Sequence, residues 1–416
     1  MTGPIYLDYQ ATTPLAPEVA AAMRPWIEAG FANPHSSHRM GREAAAAVEV
    51  ARERVKAALT APLAAREGLR AGTSEASSSG PSGSREAASS LAEPDPPPAP
   101  PLQGGELYFT SGATEAINWA LKGVAARLPN DRRRIVTLAT EHAAVLDTLE
   151  YLAGSGLDVE ILPVGRDGLV DPASVEAALA RPTGLVAAML VNNEIGVIQP
   201  VAEIGVLARG AGALFLCDAA QGFGRVPLPL DACDLVAVSA HKVHGPKGIG
   251  ALWVRDGVEL DPLLHGGGQE GGLRSGTLSP ALCVGFGESA RLLVERAEED
   301  RAHVERLWAQ ALEIMWPWTL NGSPDRRYHG NLNLRRDGVD AARLISELRA
   351  VAFSAGSACA SGSGRPSHVL AALGLGEREA RSSLRLGFGR YTTPKQLADA
   401  LELIAGCALL QLDGAR

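Results

Sequence analysis

LVAAMLVNNEIG at 185–196, ALFLCDAAQGFGR at 213–225 and LVAVSAHKVHGPKGIGAL at 235–252 decide how this chain reads. Each opens with a short apolar run, Leu185 to Val191, Ala213 to Cys217 and Leu235 to Val238, and helical patterns lie between them. That alternation is the signature of βαβ units and a largely parallel sheet. Each run ends in polar residues: Asn192-Asn193-Glu194, Asp218-Ala219-Ala220-Gln221 and Ser239-Ala240-His241-Lys242. Ligands of open parallel sheets sit beyond the carboxyl ends of the strands. The steps from Asn193 to Asp218 to Lys242 are each about one βα turn of chain, so an amide, a carboxylate and an amine are expected on one rim.

The same rhythm extends outward. Earlier strands are expected at Leu107 to Phe109, Arg134 to Leu138 and Val159 to Pro163, and a later one at Gly250 to Val254, placed to pair antiparallel. The first feeds Ser111-Gly112-Ala113-Thr114-Glu115 and a helix beginning near Ala113, whose free N–H groups, Thr hydroxyl and dipole make a phosphate site. No Gly-Lys-Ser/Thr follows, so this is not a Walker loop. The second feeds Thr140-Glu141-His142, which adds an imidazole. Phosphate cradle, carboxylate, amine and flat ring together describe a pyridoxal phosphate site: the amine bonds the cofactor, the carboxylate keeps its pyridine nitrogen protonated, and the imidazole stacks on the ring. Only five of the 39 basic residues are lysines, so an amine has few candidates besides Lys242. Taken singly each residue has a plainer reading: Asp218 and His142 as helix caps, Ser-Gly-Ala-Thr as a turn, Lys242 as a solvated amine. Order and spacing carry the assignment.

Composition bounds the rest. A chain of 416 residues allows two or three domains, or one large α/β domain with a satellite. The formal charge of −8 offers no field for nucleic acid or anionic lipid. Five cysteines, odd in number and without a C-x-x-C pair, argue for a reducing compartment and against disulfides or structural zinc; no metal is expected. The start, MTGPIYLDYQ, has no signal-peptide pattern, and no long apolar run follows, so a cytoplasmic protein is expected. Between Gly72 and Pro101 stand 8 Ser, 7 Pro and 3 Gly with Leu91 the one large apolar side chain, a low-complexity insert expected to be mobile. It follows a helical pattern from Gly41 to Leu59. Beyond about Asp261 come a glycine-rich stretch, a long charged helix (Gly285 to Ile314) and a final helix from Pro394 to Leu410, read as a second, smaller α+β domain.

From YLDYQATTP at 6–14 to GRYTT at 389–393 the chain resembles the pyridoxal-phosphate cysteine desulfurases of the NifS/IscS type, within the class V aminotransferases. FTSGATEA, TEHAAVLDT, VNNEIGVIQP, CDAAQG, SAHKVHGPKGIGAL, GGGQEGGLRSGT, SAGSACASG and SSLRLGFGRYTT carry the resemblance; about 61–103 lies outside it. The resemblance implies the type I fold of pyridoxal-phosphate transferases, with a large domain over 14–260 and a small one made of 1–13 and 261–416. It implies that Lys242 carries the cofactor, Asp218 pairs with its pyridine nitrogen, Gln221 faces its phenolic oxygen and His142 stacks on the ring. Ala113, Thr114, Ser239 and His241 would hold the phosphate, with Thr277 reaching it from the other subunit of a homodimer. Asn193 and Arg385 would grip the carboxylate of L-cysteine, Arg385 with a planar fork suited to it. Cys359 would be the nucleophile.

Cys359 also stands out by itself. SAGSACASGSGRPS at 354–367 holds one long side chain, Arg365, so the cysteine is expected on a loop able to bring a thiol to a substrate. Cys217, within an apolar run, reads as structural. The chemistry so implied is attack of the Cys359 thiolate on the sulfur of cysteine, giving alanine and a persulfide, with His142 the candidate to assist ionisation. The long loop suggests delivery of sulfur to another protein, such as an iron–sulfur scaffold, although a C-terminus shorter than that of the housekeeping members leaves the acceptor open. The alternatives are a selenocysteine lyase, a class V aminotransferase acting on another amino acid, and a non-catalytic scaffold that keeps the fold.

Overall fold

A two-residue strand, β1 (Ile5–Tyr6), and two helices, α1 (Pro17–Glu28) and α2 (Arg39–Thr60), open the computed structural model, which describes residues 3–61, 104–355 and 367–413. The expected low-complexity insert, Gly72 to Pro101, and Cys359 lie outside the described residues.

The alternating segment then runs β2 (Gly105–Thr110), α3 (Ala113–Ala125), β3 (Arg134–Leu138), α4 (Ala143–Gly154), β4 (Asp158–Leu162), α5 (Pro172–Leu179), β5 (Leu185–Met189), α6 (Val201–Gly210), β6 (Leu214–Asp218), β7 (Leu235–Ser239) and β8 (Gly250–Arg255). These strands form one sheet in the order β2-β8-β7-β6-β5-β3-β4. β8 runs against both its neighbours, and every other pairing is parallel. Side chains alternate between two cores. Val136, Val186, Phe215 and Val236 face a layer that includes α2, α5 and α6, while Ile135, Leu185, Leu216 and Leu235 face α3 and α4. Three strand ends at the rim differ from expectation. Asp218 and Ser239 close their strands instead of following them, and β5 stops at Met189 because the chain beyond it folds back, bridging Val191 to Ile198.

The expected single helix from Gly285 to Ile314 is two, α7 (Pro280–Glu295) and α8 (Ala297–Ile314), parted at Arg296, whose φ of −110° and ψ of 12° leave helical space. The two halves serve different cores: Phe286 and Leu293 pack against the large sheet, whereas Leu307, Trp308 and Ala311 pack elsewhere. One straight helix cannot turn its apolar stripe to both.

That second core lies on a four-stranded antiparallel sheet. After β9 (Thr319–Leu320), β10 (Asn331–Arg335), α9 (Ala341–Glu347), β11 (Val351–Ala352) and β12 (Ser354–Ala355) come α10 (His368–Ala372), α11 (Glu377–Arg381), β13 (Ser383–Gly387) and α12 (Pro394–Asp413). The sheet order is β12-β13-β10-β9, and β11 pairs in parallel with β1. Leu332, Leu384, Leu386, Leu397 and Leu401 fill its core together with Leu7 from the N-terminal segment. Among the described residues no helix is long and apolar enough to cross a membrane.

Candidate active site

Every strand tip that the sequence singles out opens on the same edge of the large sheet. β6 delivers Asp218 into the interior, 6% exposed, with Oδ1 accepting from the Ala220 N–H at 2.9 Å. A one-turn 3-10 helix after β7 brings Lys242 round, and its Nζ donates to the carbonyls of Gln10 (2.5 Å) and Ala11 (2.9 Å). His142 caps α4, Nδ1 accepting from the Ala144 N–H at 3.0 Å, so the plain cap reading and the site reading are both true of it. With Nδ1 so engaged, the neutral ring carries its proton on Nε2 and presents a donor, not a base.

These groups feel one another. Burial lowers the Lys242 ammonium from 10.5 to about 8, helped by Arg225 and Arg385 and opposed by Asp218 and Asp8. Burial raises the Asp218 carboxyl, against the pull of the Ala220 N–H, His142 and Lys242. Burial also lowers His142, which Asp218 partly offsets. A buried carboxylate without an ion-pair partner among the described residues suits a protonated pyridine nitrogen.

The phosphate side depends on close backbone approach. A Cβ on Gly250 would stand 2.5 Å from the Val238 carbonyl oxygen and 2.7 Å from the Gly112 Cα, so only glycine lets β8 lie flush against the turn before α3. Ser239, buried at the end of β7, is 3.9 Å from the Cβ position of Gly112. α3 begins at Ala113 and Thr114 with no side-chain cap, which leaves its first N–H groups to an anion. His241 bonds through Nδ1 to the Thr12 hydroxyl at 3.2 Å, and burial pushes it down to about 4, a neutral ring beside the cradle.

Arg385, on β13, reaches across from the small sheet. It donates to the Asn193 carbonyl (3.0 Å), Asp8 Oδ1 (2.8 Å) and the Ser354 hydroxyl (3.3 Å), while its buried Nε has no acceptor among the described residues. Arg385 and Asn193 are thus neighbours, joined through the Asn193 backbone carbonyl. Gln221 is buried beside Lys242, its Nε2 donating at 2.9 Å to the Gln10 carbonyl that Lys242 also uses. Thr277 is exposed on the segment leading into α7. Cys217 and Cys283 are buried, with burial driving Cys283 up to about 12 and a hydrogen bond with Cys233, then burial, raising Cys217 well above the thiol range, so neither is a nucleophile.

Five participants were missed by sequence reasoning. Gln10 supplies the carbonyl that holds both Lys242 and Gln221, and Arg225 braces Gln221 from behind, NH1 to Oε1 at 2.8 Å. Glu141 is buried with Oε1 on the Met189 N–H (2.8 Å), its carboxyl raised well above the usual range by burial. Glu194 takes the Ser367 hydroxyl at 2.5 Å, and His368 donates through Nε2 to the Glu141 carbonyl at 2.8 Å. All sit inside or beside the quoted motifs, but a backbone carbonyl leaves no mark in a sequence, and a carboxylate next to a histidine does not say which of the two faces inward.

Known proteins resemble the chain throughout its length. The sequence profile of the family described as Aminotransferase class-V matches residues 5–77 and 103–399, leaving 78–102 unmatched, a narrower gap than the expected 61–103. The cysteine desulfurase IscS of Rickettsia bellii is 41% identical over 410 residues, covering 96% of this chain and 90% of that protein. Among solved structures, a NifS-like protein superposes with a TM-score of 0.81 at 30% identity, covering 98% of this chain and all of the other. SspA in complex with cysteine superposes at 0.73 and 33% identity, covering 93% and 99%.

Proposed function

Because the chain belongs to the class V aminotransferase family and, within it, to the cysteine desulfurases, we propose that it removes sulfur from L-cysteine with pyridoxal phosphate on Lys242, leaving alanine and a persulfide on Cys359. The observation that carries this reading is Lys242 itself: an amine lowered to about 8 and held over the same rim as the buried Asp218. The residues present fit the cofactor. The uncapped start of α3 and Ser239 and His241 suit its phosphate, Asp218 its ring nitrogen, Gln221 its phenolic oxygen and His142 its face. Bound there, pyridoxal phosphate supplies an electron sink that acidifies the Cα–H of an amino acid.

The chain's own groups do the rest. A partly neutral Lys242 takes the Cα proton and returns it. Asp218 holds the proton on the ring nitrogen, and Arg385 offers its unused Nε–H, with Asn193 beside it, to the substrate carboxylate. The Cys359 thiolate attacks the substrate sulfur; an S–S bond forms, the Cβ–S bond breaks, and its electron pair stays on Cβ, where a proton completes alanine. Assistance from His142 in ionising that thiol requires its cap bond to Ala144 to be released first. The persulfide then passes to an acceptor protein, an iron–sulfur scaffold among them. We also infer a cofactor-binding domain over 14–260, to whose core α7 adds Phe286 and Leu293, a small domain made of 1–13 and the rest of 261–416, and a homodimer in which Thr277 reaches the phosphate of the other subunit.

Incubation with L-cysteine, followed by mass analysis of the peptide holding Cys359, tests the reading: one added sulfur is expected there, and none in Cys359→Ser. Sulfur on a different cysteine, or alanine released at the unmodified rate by Cys359→Ser, overturns it. Parallel turnover of cysteine and selenocysteine distinguishes the lyase alternative.

A further inference from the structure

Against Lys242 lies a cavity of about 70 Å³ lined by Tyr9, Arg225, Lys242, His244, Tyr328 and Arg390 among others, with Asp218 outside its lining. Arg225 reaches from it toward the reaction centre. Its NH1 donates to Gln221 Oε1 at 2.8 Å, its NH2 bonds the backbone carbonyl of Lys242, and its guanidinium lies 5.3 Å from the Tyr328 ring centroid. The approach depends on Gly224, whose φ of +67° belongs to the left-handed region and whose added Cβ would fall 2.5 Å from Leu293. No carboxylate forms an ion pair with Arg225 among the described residues, unlike Arg390, which is paired to Asp300. Ion pairing does not account for a cation placed here.

We propose that Arg225 is a positioning residue: it fixes which end of the Gln221 amide faces Lys242 and holds the Lys242 backbone from the cavity side. This rests on the pyridoxal-phosphate reading above. A guanidinium has donors only, so the amide oxygen of Gln221 must turn toward it and the NH2 end toward the centre. That end already donates to the Gln10 carbonyl, which Lys242 shares, and is the donor suited to the cofactor's phenolic oxygen. The charge has a second effect. After burial, Arg225 comes first among the causes that lower Lys242, ahead of Arg385, with Asp218 and Asp8 acting the other way. Tyr9 and Tyr328 face Arg225 itself, and His142 and His241 also feel Lys242. An unpaired cation close behind an amine favours its neutral form.

The test uses the full-length, cofactor-loaded enzyme and two variants, Arg225→Gln, which removes the charge, and Arg225→Lys, which keeps it without the two-pronged fork. The readouts are the pH midpoint of the bound cofactor's absorbance change and the rate at which cofactor is lost on dilution, with thermal melting as a check on folding. Arg225→Gln should move the midpoint up by about one pH unit, a tenfold change in proton affinity, and Arg225→Lys should leave it near the unmodified value while losing cofactor several-fold faster. A folded Arg225→Gln with an unmoved midpoint overturns the proposal. If Arg225→Gln does not fold, Arg225→Lys decides: cofactor retention equal to that of the unmodified enzyme overturns it. Failure of the cofactor reading is a separate result, since then the unmodified protein shows no such absorbance.

Discussion

Lys242 titrates where an ordinary lysine does not, and that can be measured on the cofactor-free protein. Its ammonium falls from 10.5 to about 8 because the group is buried near Arg225 and Arg385. A lysine whose pKa is lowered by folding binds fewer protons in the native state than in the unfolded one between those two values, so stability rises with pH across that window and is lowest below it. The two values imply a cost of roughly 3 kcal/mol at pH 7, falling by roughly 2 kcal/mol by pH 9.5. Lys242→Met removes the titrating group at similar volume. Its stability relative to the unmodified protein should therefore drift down by roughly 2 kcal/mol from pH 7 to 9.5, whatever the loss of the bonds to Gln10 and Ala11 contributes as a constant. Urea unfolding of both proteins at several pH values gives that difference directly, since titrations common to the two cancel. A flat difference would mean that Lys242 is charged like a surface amine, and the account of its readiness to bond an aldehyde fails with it. The rate of cofactor capture should follow the same midpoint near 8.

Three further outcomes follow from the same geometry. Asp218→Asn should keep the cofactor bound but lower kcat by about 10- to 100-fold, since a charge-assisted bond to the ring nitrogen becomes a neutral one; unchanged turnover would remove Asp218 from its role. Arg385→Lys should raise KM for cysteine by tenfold or more, because a point charge cannot replace the fork that now joins Asn193, Asp8 and Ser354; steady-state kinetics decide it. Arg52→Met should destabilise the fold by about 3–5 kcal/mol in urea unfolding, because it strands Glu270, whose carboxylate is 2% exposed and also holds the Phe109 N–H at 2.6 Å.

The site was readable from the sequence to the extent that strand tips announce themselves. Asp218, Ser239 and Lys242 each stand within four residues of an apolar run, and the uncapped Gly112–Ala113 start of α3 follows another, so their common edge follows from the parallel order alone. The reversed β8 was legible for a related reason: only the ten residues 240–249 separate it from β7, fewer than a helical crossover needs. The break at Arg296 was not, because the charged pattern continues through it and the cause is a second core that the local sequence does not mention.

What the residues alone determined, then, is the chemistry present and the strand ends that carry it, because side-chain periodicity and helix starts are local properties of the chain. Tertiary structure decided which groups work on which: Arg385 meets Asn193 from 192 positions away, Gln10 offers one carbonyl to two side chains more than two hundred positions on, and Arg225 turns the Gln221 amide. Protonation was decided there too. Whether Lys242 is an ammonium or an amine depends on how much water is excluded and which charges surround it, and both are set by packing between segments that the sequence keeps far apart.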